Sequence, residues 1–389
     1  MRSIRTYNAI SQKGLVLFPE AQYKVDSVVG EPDAIMLRSH NLHQETFPES
    51  VKAIARCGAG VNNIPVEACT KQGIVVFNTP GANANAVKEL VLAGMLLASR
   101  NLLDAANFSQ ALDTTLETGD FNKKVEAGKK KFVGSELAGK TLGVIGLGAI
   151  GANIAHAALA LGMNVVGYDP VLSVEAAWRL SSDVERADNL PSLLARCDYV
   201  SLHVPANEHT KNMLNAENLE QAKRGLVLLN FARGSVAEEA AVLNELENNR
   251  IHKYVCDFPS PALMGRDDVI LLPHLGASTG EAEDNCAEMA ARQLMDFLKN
   301  GNIQNSVNFP NLRLERSEGF RITFANDNVP AVLSQVLAVL SEMNINVIDM
   351  LNKSRGEVAY TILDVEHQPT DELIAAIAAV EHVFHVNTF

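Results

Sequence analysis

The chain has 389 residues, of which 47 % are hydrophobic and 20 % are charged, so it is a globular protein too long for one hydrophobic core. Its formal net charge of −13 argues against a general nucleic-acid binder, which needs a basic face for phosphates. The N-terminus has no apolar run typical of a signal peptide, no segment suits a membrane span, and the five cysteines lack metal-ligand spacing. We therefore expect a cytoplasmic protein without a membrane or metal site.

Short apolar runs alternate with helical patterns over the first hundred residues. They predict strands of a parallel sheet at residues 14–18, 34–38, 51–58 and 73–78. The helix predicted over 85–103 is more hydrophobic than one covered face requires. This surplus favours a subunit interface, and hence a homodimer or homotetramer, although a core helix explains it almost as well. The lysine-rich residues 123–131 are predicted to form a surface loop.

A second alternating series starts near residue 140. Its predicted strands are residues 141–148, 164–170, 197–205, 225–234, 254–258 and 269–276. Strands separated by helical patterns indicate βαβ units and a doubly wound sheet. A further helix over 281–300 is predicted to end at Gly301.

The last seventy residues change in character. Their pattern reads β-α-β-β-α-β, the ferredoxin-like order, and the polar residues 311–319 mark a domain boundary before it. The predicted fold class is therefore α/β, with two doubly wound Rossmann-like domains and a C-terminal ferredoxin-like βαββαβ domain.

The sequence GLGAIG at 146–151 lies between a predicted strand and an apolar helix. Gly146 permits the tight turn, Gly148 lets the backbone approach a pyrophosphate, and Gly151 lets the helix pack close to the strand. The helix N-terminus at Ala149 and Ile150 would offer free amides to the phosphates. Asp169, at the end of the next strand, suits a ribose diol and favours NAD over NADP. The alternative is a structural glycine turn followed by an ordinary surface Asp.

Two further residues carry candidate acid–base chemistry. Arg233 in NFARGS and His274 in PHLGAS each follow a predicted strand, where parallel sheets place their ligands. A His titrates near neutral pH and can take the proton of an alcohol, while an Arg can hold a carboxylate with two hydrogen bonds. Taken singly, each residue is better explained structurally, Arg233 as a surface ion-pair residue and His274 as a capping or core histidine.

Taken together, GLGAIG with YDP, SLHVP, NFARGSVAEEAAV and LLPHLGAST resemble the D-isomer-specific 2-hydroxyacid dehydrogenase family. The similarity runs in order from about residue 30 to 310, and the C-terminal segment resembles an ACT regulatory domain. The resemblance implies a substrate-binding domain of residues 1–95 and 283–312, an NAD-binding domain of 96–282 and an ACT-like domain of 318–389. It places the active site in the cleft between the first two.

The resemblance also implies roles for individual residues. Arg233 would bind the substrate carboxylate and carbonyl oxygen, and His274 would be the acid–base group. Substrate contacts would come from Arg38, Ser39, Ala59, Gly60 and Val61. Besides the glycine loop and Asp169, the cofactor would be contacted by His203, Pro205, Ala232, Asp257 and Gly276. Lys129, Lys130 and Lys131 lie where a basic residue can meet a substrate phosphate, although a solvated surface is at least as good an interpretation.

Two departures from the family pattern stand out. The Glu that usually pairs with the catalytic His is absent, since positions 261 and 262 are Pro and Ala. Asp267 or Asp268 would have to substitute, and we expect an altered pH optimum rather than inactivity. In the ACT-like segment, Ala331 replaces the usual glycine of the first strand–helix turn.

The asparagines Asn326, Asn328 and Asn346 still allow an amino-acid effector such as serine to bind across a domain pair. A purely structural dimerisation module is an equal alternative. The expected function is NAD-dependent oxidation and reduction of a phosphorylated 2-hydroxy acid. The alternatives are a reductase of an unphosphorylated acid such as hydroxypyruvate and an NAD-responsive binding protein.

Overall fold

The structure is a computed structural model that describes all residues, 1–389. The chain forms two compact units, residues 1–82 together with 280–389, and residues 83–279. The domain limits predicted at residues 95 and 282 fall inside helices Ala84–Arg100 and Gly280–Asn300. Each of these helices belongs wholly to one unit.

A parallel sheet in the order β2-β1-β3-β4-β5 forms the first part of the first unit. Its central strands β3 and β4 are almost entirely buried and bear the apolar residues that the sequence shows there. The elements of residues 1–82 are β1 (Arg2–Thr6), α1 (Gln12–Leu15), β2 (Tyr23–Asp26), β3 (Ala34–Leu37), β4 (Ala53–Arg56), α2 (Val66–Lys71) and β5 (Val75–Phe77).

The strand predicted at residues 14–18 was wrong, because this segment begins as the short helix α1. A Cβ at Gly14 would lie 2.5 Å from the backbone of Ala287, so this segment packs closely on the helix Gly280–Asn300. This packing explains why the segment is apolar. Two strands were missed, β1 and β2. Both are rich in polar residues, and in β1 only Ile4 is buried.

A seven-stranded parallel sheet forms the second unit, in the order β12-β11-β10-β9-β6-β7-β8. The order reverses between β6 and β9, which is where doubly wound sheets bind their ligands. The elements are α3 (Ala84–Arg100), α4 (Leu102–Gln110), α5 (Thr118–Gly128), a 3-10 turn (Lys129–Phe132), β6 (Thr141–Ile145), α6 (Ala149–Ala160), β7 (Asn164–Tyr168), α7 (Val174–Ala177), β8 (Val184–Arg186), α8 (Leu190–Arg196), β9 (Tyr199–Leu202), α9 (Ala216–Glu220), β10 (Leu226–Asn230), a 3-10 turn (Gly234–Val236), α10 (Glu239–Glu247), β11 (Ile251–Cys256) and β12 (Val269–Leu271).

All six strands predicted in this region are present, and only the short β8 was missed. For residues 123–131, the predicted surface position is correct, but the predicted loop conformation was wrong. These residues form the end of α5 and a 3-10 turn, with all three lysines of 129–131 exposed.

None of the helices in the structure combines the length and the apolar character needed to cross a bilayer.

The remainder of the first unit holds one long helix and a four-stranded antiparallel sheet in the order β14-β15-β13-β16. The helix ends as predicted, where Gly301 at φ +67° donates to the Phe297 carbonyl oxygen at 2.7 Å. The predicted βαββαβ order is confirmed. The elements are α11 (Gly280–Asn300), β13 (Phe320–Asp327), α12 (Val332–Glu342), β14 (Val347–Arg355), β15 (Val358–Val365), α13 (Asp371–Ala378) and β16 (Val383–Thr388).

Both faces of the central strands β13 and β15 are covered, whereas most residues of the edge strand β14 are exposed. One face packs on α12 and α13 around Phe324 and Leu363, while Tyr360 and Ile362 share a core with Phe309 and other residues of the first unit. The ACT-like segment is thus packed into the first unit rather than tethered to it by a bare linker.

Candidate active site

The glycine loop connects the end of β6 to the first turn of α6. Gly146 has φ +90°, and a Cβ there would come within 2.6 Å of a neighbouring carbonyl oxygen. A Cβ at Gly151 would come within 1.9 Å of the Gly146 carbonyl oxygen. A Cβ at Gly148 would meet nothing within 4 Å, and no side chain caps the turn at Ala149 and Ile150. Open space in front of uncapped amides fits a dinucleotide pyrophosphate.

Asp169 lies beside this loop, just beyond the end of β7. Its Oδ2 accepts a hydrogen bond from the Leu147 amide at 2.9 Å, and its Oδ1 accepts one from the Val171 amide at 3.1 Å. These contacts hold the carboxylate next to the pyrophosphate position, where the ribose of a bound dinucleotide follows. The residues therefore fit NAD, whose ribose hydroxyls can donate to an acid.

His203 and Pro205 follow β9, the neighbour of β6 at the point where the strand order reverses. The His203 Nε2 lies 2.7 Å from the Ser201 hydroxyl. Burial lowers the pKa of His203 to about 3, so its ring is neutral at physiological pH. A neutral ring can line a cofactor pocket but is no acid–base group, and its contact with the cofactor stays a prediction.

Arg233 follows β10, and the buried Asn230 shapes its loop. Asn230 Nδ2 donates to the Arg233 carbonyl oxygen at 3.0 Å, while Asn230 Oδ1 accepts from the Ala232 amide at 3.2 Å. Arg233 is exposed, and its Nη1 donates only to the Ala232 carbonyl oxygen, at 2.7 Å. Within residues 83–279 no carboxylate pairs with this guanidinium, so it remains available to an anion.

His274 follows β12 in a left-handed conformation, with φ +58°. Asp257 holds this backbone: its carbonyl oxygen accepts from the His274 amide at 3.0 Å. The two oxygens of its buried carboxylate accept from the amides of Leu275 and Gly276, at 2.7 and 2.8 Å. Asp257 therefore positions the backbone around His274. The sequence analysis had expected it only to contact the cofactor.

The family usually pairs its catalytic His with a Glu. In this chain, no contact shows a carboxylate of the loop before β12 in that place. Asp268 binds Arg266 through both oxygens, each at 2.9 Å, and this contact lowers the pKa of Asp268. Within residues 83–279 no carboxylate pairs with the His274 ring. The ring of Phe258 lies beside it instead, with centroids 5.0 Å apart.

In the first unit, the predicted substrate residues lie at the carboxyl ends of the adjacent strands β3 and β4. Arg38 Nη1 lies 2.5 Å from Glu283 Oε1 at the start of α11. The loop at Ala59, Gly60 and Val61 is held through the Ala59 carbonyl oxygen, which accepts from Asn78 Nδ2 at 2.7 Å. Ala59 is exposed, and the amides of residues 59–61 donate to no backbone oxygen, so this loop fits a carboxylate.

The lysines of the 3-10 turn belong to the second unit. Lys129 forms an ion pair with Glu126 one turn earlier, and Lys130 and Lys131 are exposed. Their role toward a substrate phosphate stays a prediction.

The candidate effector residues do not converge within one chain. Asn326 and Asn328 lie where β13 ends, whereas Asn346 precedes β14 at the opposite end of the sheet. Asn328 Nδ2 donates to the Gly356 carbonyl oxygen, and Asn346 Nδ2 donates to Glu366, at 3.0 and 2.8 Å. A shared effector site would therefore need a second copy of the domain.

Sequence reasoning missed the asparagines that shape the site loops. Asn8 Oδ1 accepts from the amides of Ser39 and His40, at 3.0 and 2.8 Å, and Asn63 Nδ2 donates to the carbonyl oxygens of the same loop. For Asn8, the only signal was its position two residues after β1, a strand that the sequence did not reveal.

A family model described as the NAD-binding domain of D-isomer-specific 2-hydroxyacid dehydrogenases matches residues 99–276. A D-3-phosphoglycerate dehydrogenase of Haemophilus influenzae is 32 % identical over 349 residues, which cover 87 % of this chain and 80 % of the relative. The chain belongs to the D-isomer-specific 2-hydroxyacid dehydrogenase family. The predicted family is confirmed, and with it NAD as the cofactor and the α/β fold.

Other relatives are longer than the region they share with this chain. A D-3-phosphoglycerate dehydrogenase of Methanocaldococcus jannaschii is 37 % identical over 274 residues, which are 69 % of this chain and 49 % of the relative. The enzyme of the same name from Synechocystis is matched over 53 % of its length. The chain thus spans about half the length of these two curated relatives.

Solved structures of the family show the same fold. NAD⁺-bound 3-phosphoglycerate dehydrogenase of Entamoeba histolytica has a TM-score of 0.60 at 24 % identity, covering 79 % of this chain and 98 % of that one. The apo D-mandelate dehydrogenase of Rhodotorula graminis has a TM-score of 0.66 at 23 % identity, covering 79 % and 97 %. The likeness concerns the fold alone.

Proposed function

We propose that the chain catalyses the NAD-dependent oxidation of 3-phospho-D-glycerate to 3-phosphohydroxypyruvate and the reverse reduction, the first step of L-serine biosynthesis. The similarity to the Haemophilus D-3-phosphoglycerate dehydrogenase over 80 % of that relative carries the proposal. The alignment of Gly146, Asp169, Arg233 and His274 along the carboxyl edge of one parallel sheet supports it.

The second unit supplies the redox half of the chemistry. Bound NAD would supply the hydride acceptor for the substrate C2. Arg233 binds the substrate carboxylate and the oxygen on C2, so that its charge stabilises the developing carbonyl. His274 takes the proton of the C2 hydroxyl during oxidation and returns it during reduction. Because positions 261 and 262 are Pro and Ala, no carboxylate within residues 83–279 orients the His274 ring from that segment.

The first unit supplies anion binding. The amides at residues 59–61, which donate to no backbone oxygen, receive the carboxylate, and Arg38 and Ser39 follow the adjacent strand. An ion pair with Glu283 holds the Arg38 guanidinium at this edge of the sheet.

Assembly and regulation remain proposals. A homodimer or homotetramer is supported by exposed leucines at the end of α3 and the start of α4, namely Leu96, Leu102 and Leu103. Serine as an effector is supported by the asparagines of the ACT-like sheet, provided that two copies come together.

The direct test compares NADH-dependent reduction of 3-phosphohydroxypyruvate by the wild type, two site variants and one control variant. Arg233→Lys removes the two-pronged contact, and we expect kcat/KM to fall about 100-fold. His274→Gln removes the proton donor, and kcat should fall by about 10² to 10⁴. NADH binding, followed by fluorescence, should be unchanged in both.

The control is His252→Gln, an exposed histidine on β11 of the same unit. It should retain full activity. If the His274 variant kept wild-type kcat, the acid–base assignment would be wrong. NADH binding without turnover in the wild-type protein would instead favour an NAD-responsive binding protein.

A further inference from the structure

A buried network of polar side chains lies behind the loops of Arg233 and His274. It begins at Asn230, at the end of β10, whose Nδ2 donates both to the Arg233 carbonyl oxygen and to the Tyr254 hydroxyl, at 3.0 and 3.2 Å. Asn230 is fully buried, and only 3 % of Tyr254 is exposed. Buried polar groups that are hydrogen-bonded hold the segments they join in one arrangement. The network therefore ties the Arg233 loop to the neighbouring strand β11.

The network continues along β11 to Cys256. Residues two apart in a strand point to the same face, so the Tyr254 hydroxyl and the Cys256 thiol lie side by side. Burial raises the pKa of both groups, and a hydrogen bond from Tyr254 offsets part of that rise at Cys256. Both groups are therefore protonated at neutral pH and can donate hydrogen bonds.

The thiol fixes Phe258, the residue whose ring lies beside His274. Cys256 Sγ accepts from the Phe258 amide at 3.3 Å, and its S–H donates to the Phe258 carbonyl oxygen at 3.4 Å. The Phe258 and His274 rings are 5.0 Å apart between centroids, with their planes inclined by 58°. Phe258 is thus held at both its amide and its carbonyl group, while its ring limits the orientations open to the imidazole.

We propose that Tyr254 and Cys256 position the His274 ring through Phe258. This inference rests on the proposed function, in which His274 transfers the proton of the substrate hydroxyl. An imidazole acts as a general base only within hydrogen-bond reach of that proton, and a displacement of about 1 Å can cost a factor of about 100 in rate. In this chain the contact with Phe258 restricts the ring, as a carboxylate partner does elsewhere in the family.

The network also joins the two groups that act on the substrate. Asn230 holds the Arg233 loop, and its carbonyl oxygen accepts from the Asp257 amide at 3.1 Å. Asp257 in turn holds the backbone of the His274 loop. The backbone of His274 is therefore set by Asp257 and its ring by Phe258, and both connections lead back to Asn230.

The test measures kcat, KM and NADH affinity with 3-phosphohydroxypyruvate in variants of the protein. Cys256→Ala removes both bonds to the Phe258 backbone, and kcat should fall about 10-fold or more while KM and NADH affinity stay within about twofold. Cys256→Ser keeps a group that accepts from the Phe258 amide and donates to its carbonyl oxygen, so it should restore most of kcat. Tyr254→Phe should lower kcat by about 2- to 10-fold, the effect of one hydrogen bond.

The matched control is Cys197→Ala. This thiol is equally buried in the same hydrophobic core, but it lies at the amino end of β9, away from the loops that follow the strands. Cys197→Ala should lower the melting temperature about as much as Cys256→Ala and leave kcat unchanged.

A double variant tests the path through Phe258. Phe258→Leu removes the ring that lies against His274, and it should lower kcat by itself. In that background, Cys256→Ala should change kcat by less than about twofold, because two changes in one chain of contacts are not additive.

Each outcome is decisive. An equal loss of kcat in Cys256→Ala and Cys197→Ala would overturn the inference, as would a Cys256→Ala effect that persists in full in the Phe258→Leu background. Unchanged kcat in both Cys256→Ala and Tyr254→Phe would also overturn it. A wild type that reduces hydroxypyruvate but not 3-phosphohydroxypyruvate would overturn the proposed function alone, and the variants are then compared with that acid. A wild type that reduces neither acid would overturn both.

Discussion

At the scale of single residues, the central feature is the loop that holds His274. The sequence correctly placed His274 and Arg233 after strands, because the carboxyl ends of parallel strands share one edge. It did not reveal that Asp257 anchors the His274 loop, since its bonds to the amides of Leu275 and Gly276 join residues 18 and 19 positions apart. Side-chain bonds to distant backbone leave no periodic signal in a sequence.

The anchor makes a testable prediction at Asp257. In Asp257→Asn, one acceptor oxygen becomes an amide that faces a backbone N–H. A buried donor is left unsatisfied, at a cost of about 1–3 kcal/mol. We expect a lower melting temperature and a kcat reduced about 10- to 100-fold, measured on the same preparation.

The matched control is Asp268→Asn, which removes only the partly exposed pair with Arg266. It should cost less than about 1 kcal/mol. If Asp257→Asn behaved like this control in both melting and turnover, Asp257 would not be the anchor of the loop.

At the scale of elements, prediction succeeded where buried strands carry apolar runs and failed where packing overrides local pattern. The strands β3, β4 and β6 are continuous apolar segments with almost no exposed residue. Residues 14–18 are equally apolar, but Gly14 brings them against α11 as a helix. β1 alternates polar residues around one buried Ile4, which is too weak a pattern to recognise.

Ala331 is an element-scale departure with a measurable cost. It precedes α12 at φ +77°, a left-handed conformation that costs an L-residue about 1–2 kcal/mol. Ala331→Gly should therefore raise the free energy of unfolding by about 1 kcal/mol, after the greater entropy of glycine in the unfolded chain is subtracted. The measurement is a denaturant or thermal midpoint.

Ala338→Gly, at an exposed position inside the same helix, provides a control of opposite sign. It should lower the free energy of unfolding by about 1 kcal/mol. A destabilising effect of Ala331→Gly would show that the left-handed position is not strained.

At the scale of the whole molecule, the order of elements was predictable and the integration of the ACT-like segment was not. Arg321 is fully buried and binds Asp364 through two nitrogens, at 2.7 and 2.8 Å. It also donates to the carbonyl oxygens of Asn300 and Leu314, each at 3.0 Å, which satisfies the last turn of α11. A βαββαβ pattern in sequence reads as a separate domain, because nothing local shows that the second sheet face is buried.

For the molecule as a whole, we propose a dehydrogenase specific for a phosphorylated 2-hydroxy acid and for NAD. The most direct measurement follows the nicotinamide absorbance when the purified protein is mixed with 3-phosphohydroxypyruvate or hydroxypyruvate, each with NADH or NADPH. We predict turnover with 3-phosphohydroxypyruvate and NADH, at a kcat/KM at least about tenfold above every other pairing. No turnover with any pairing, or a preference for hydroxypyruvate or NADPH, would contradict the account.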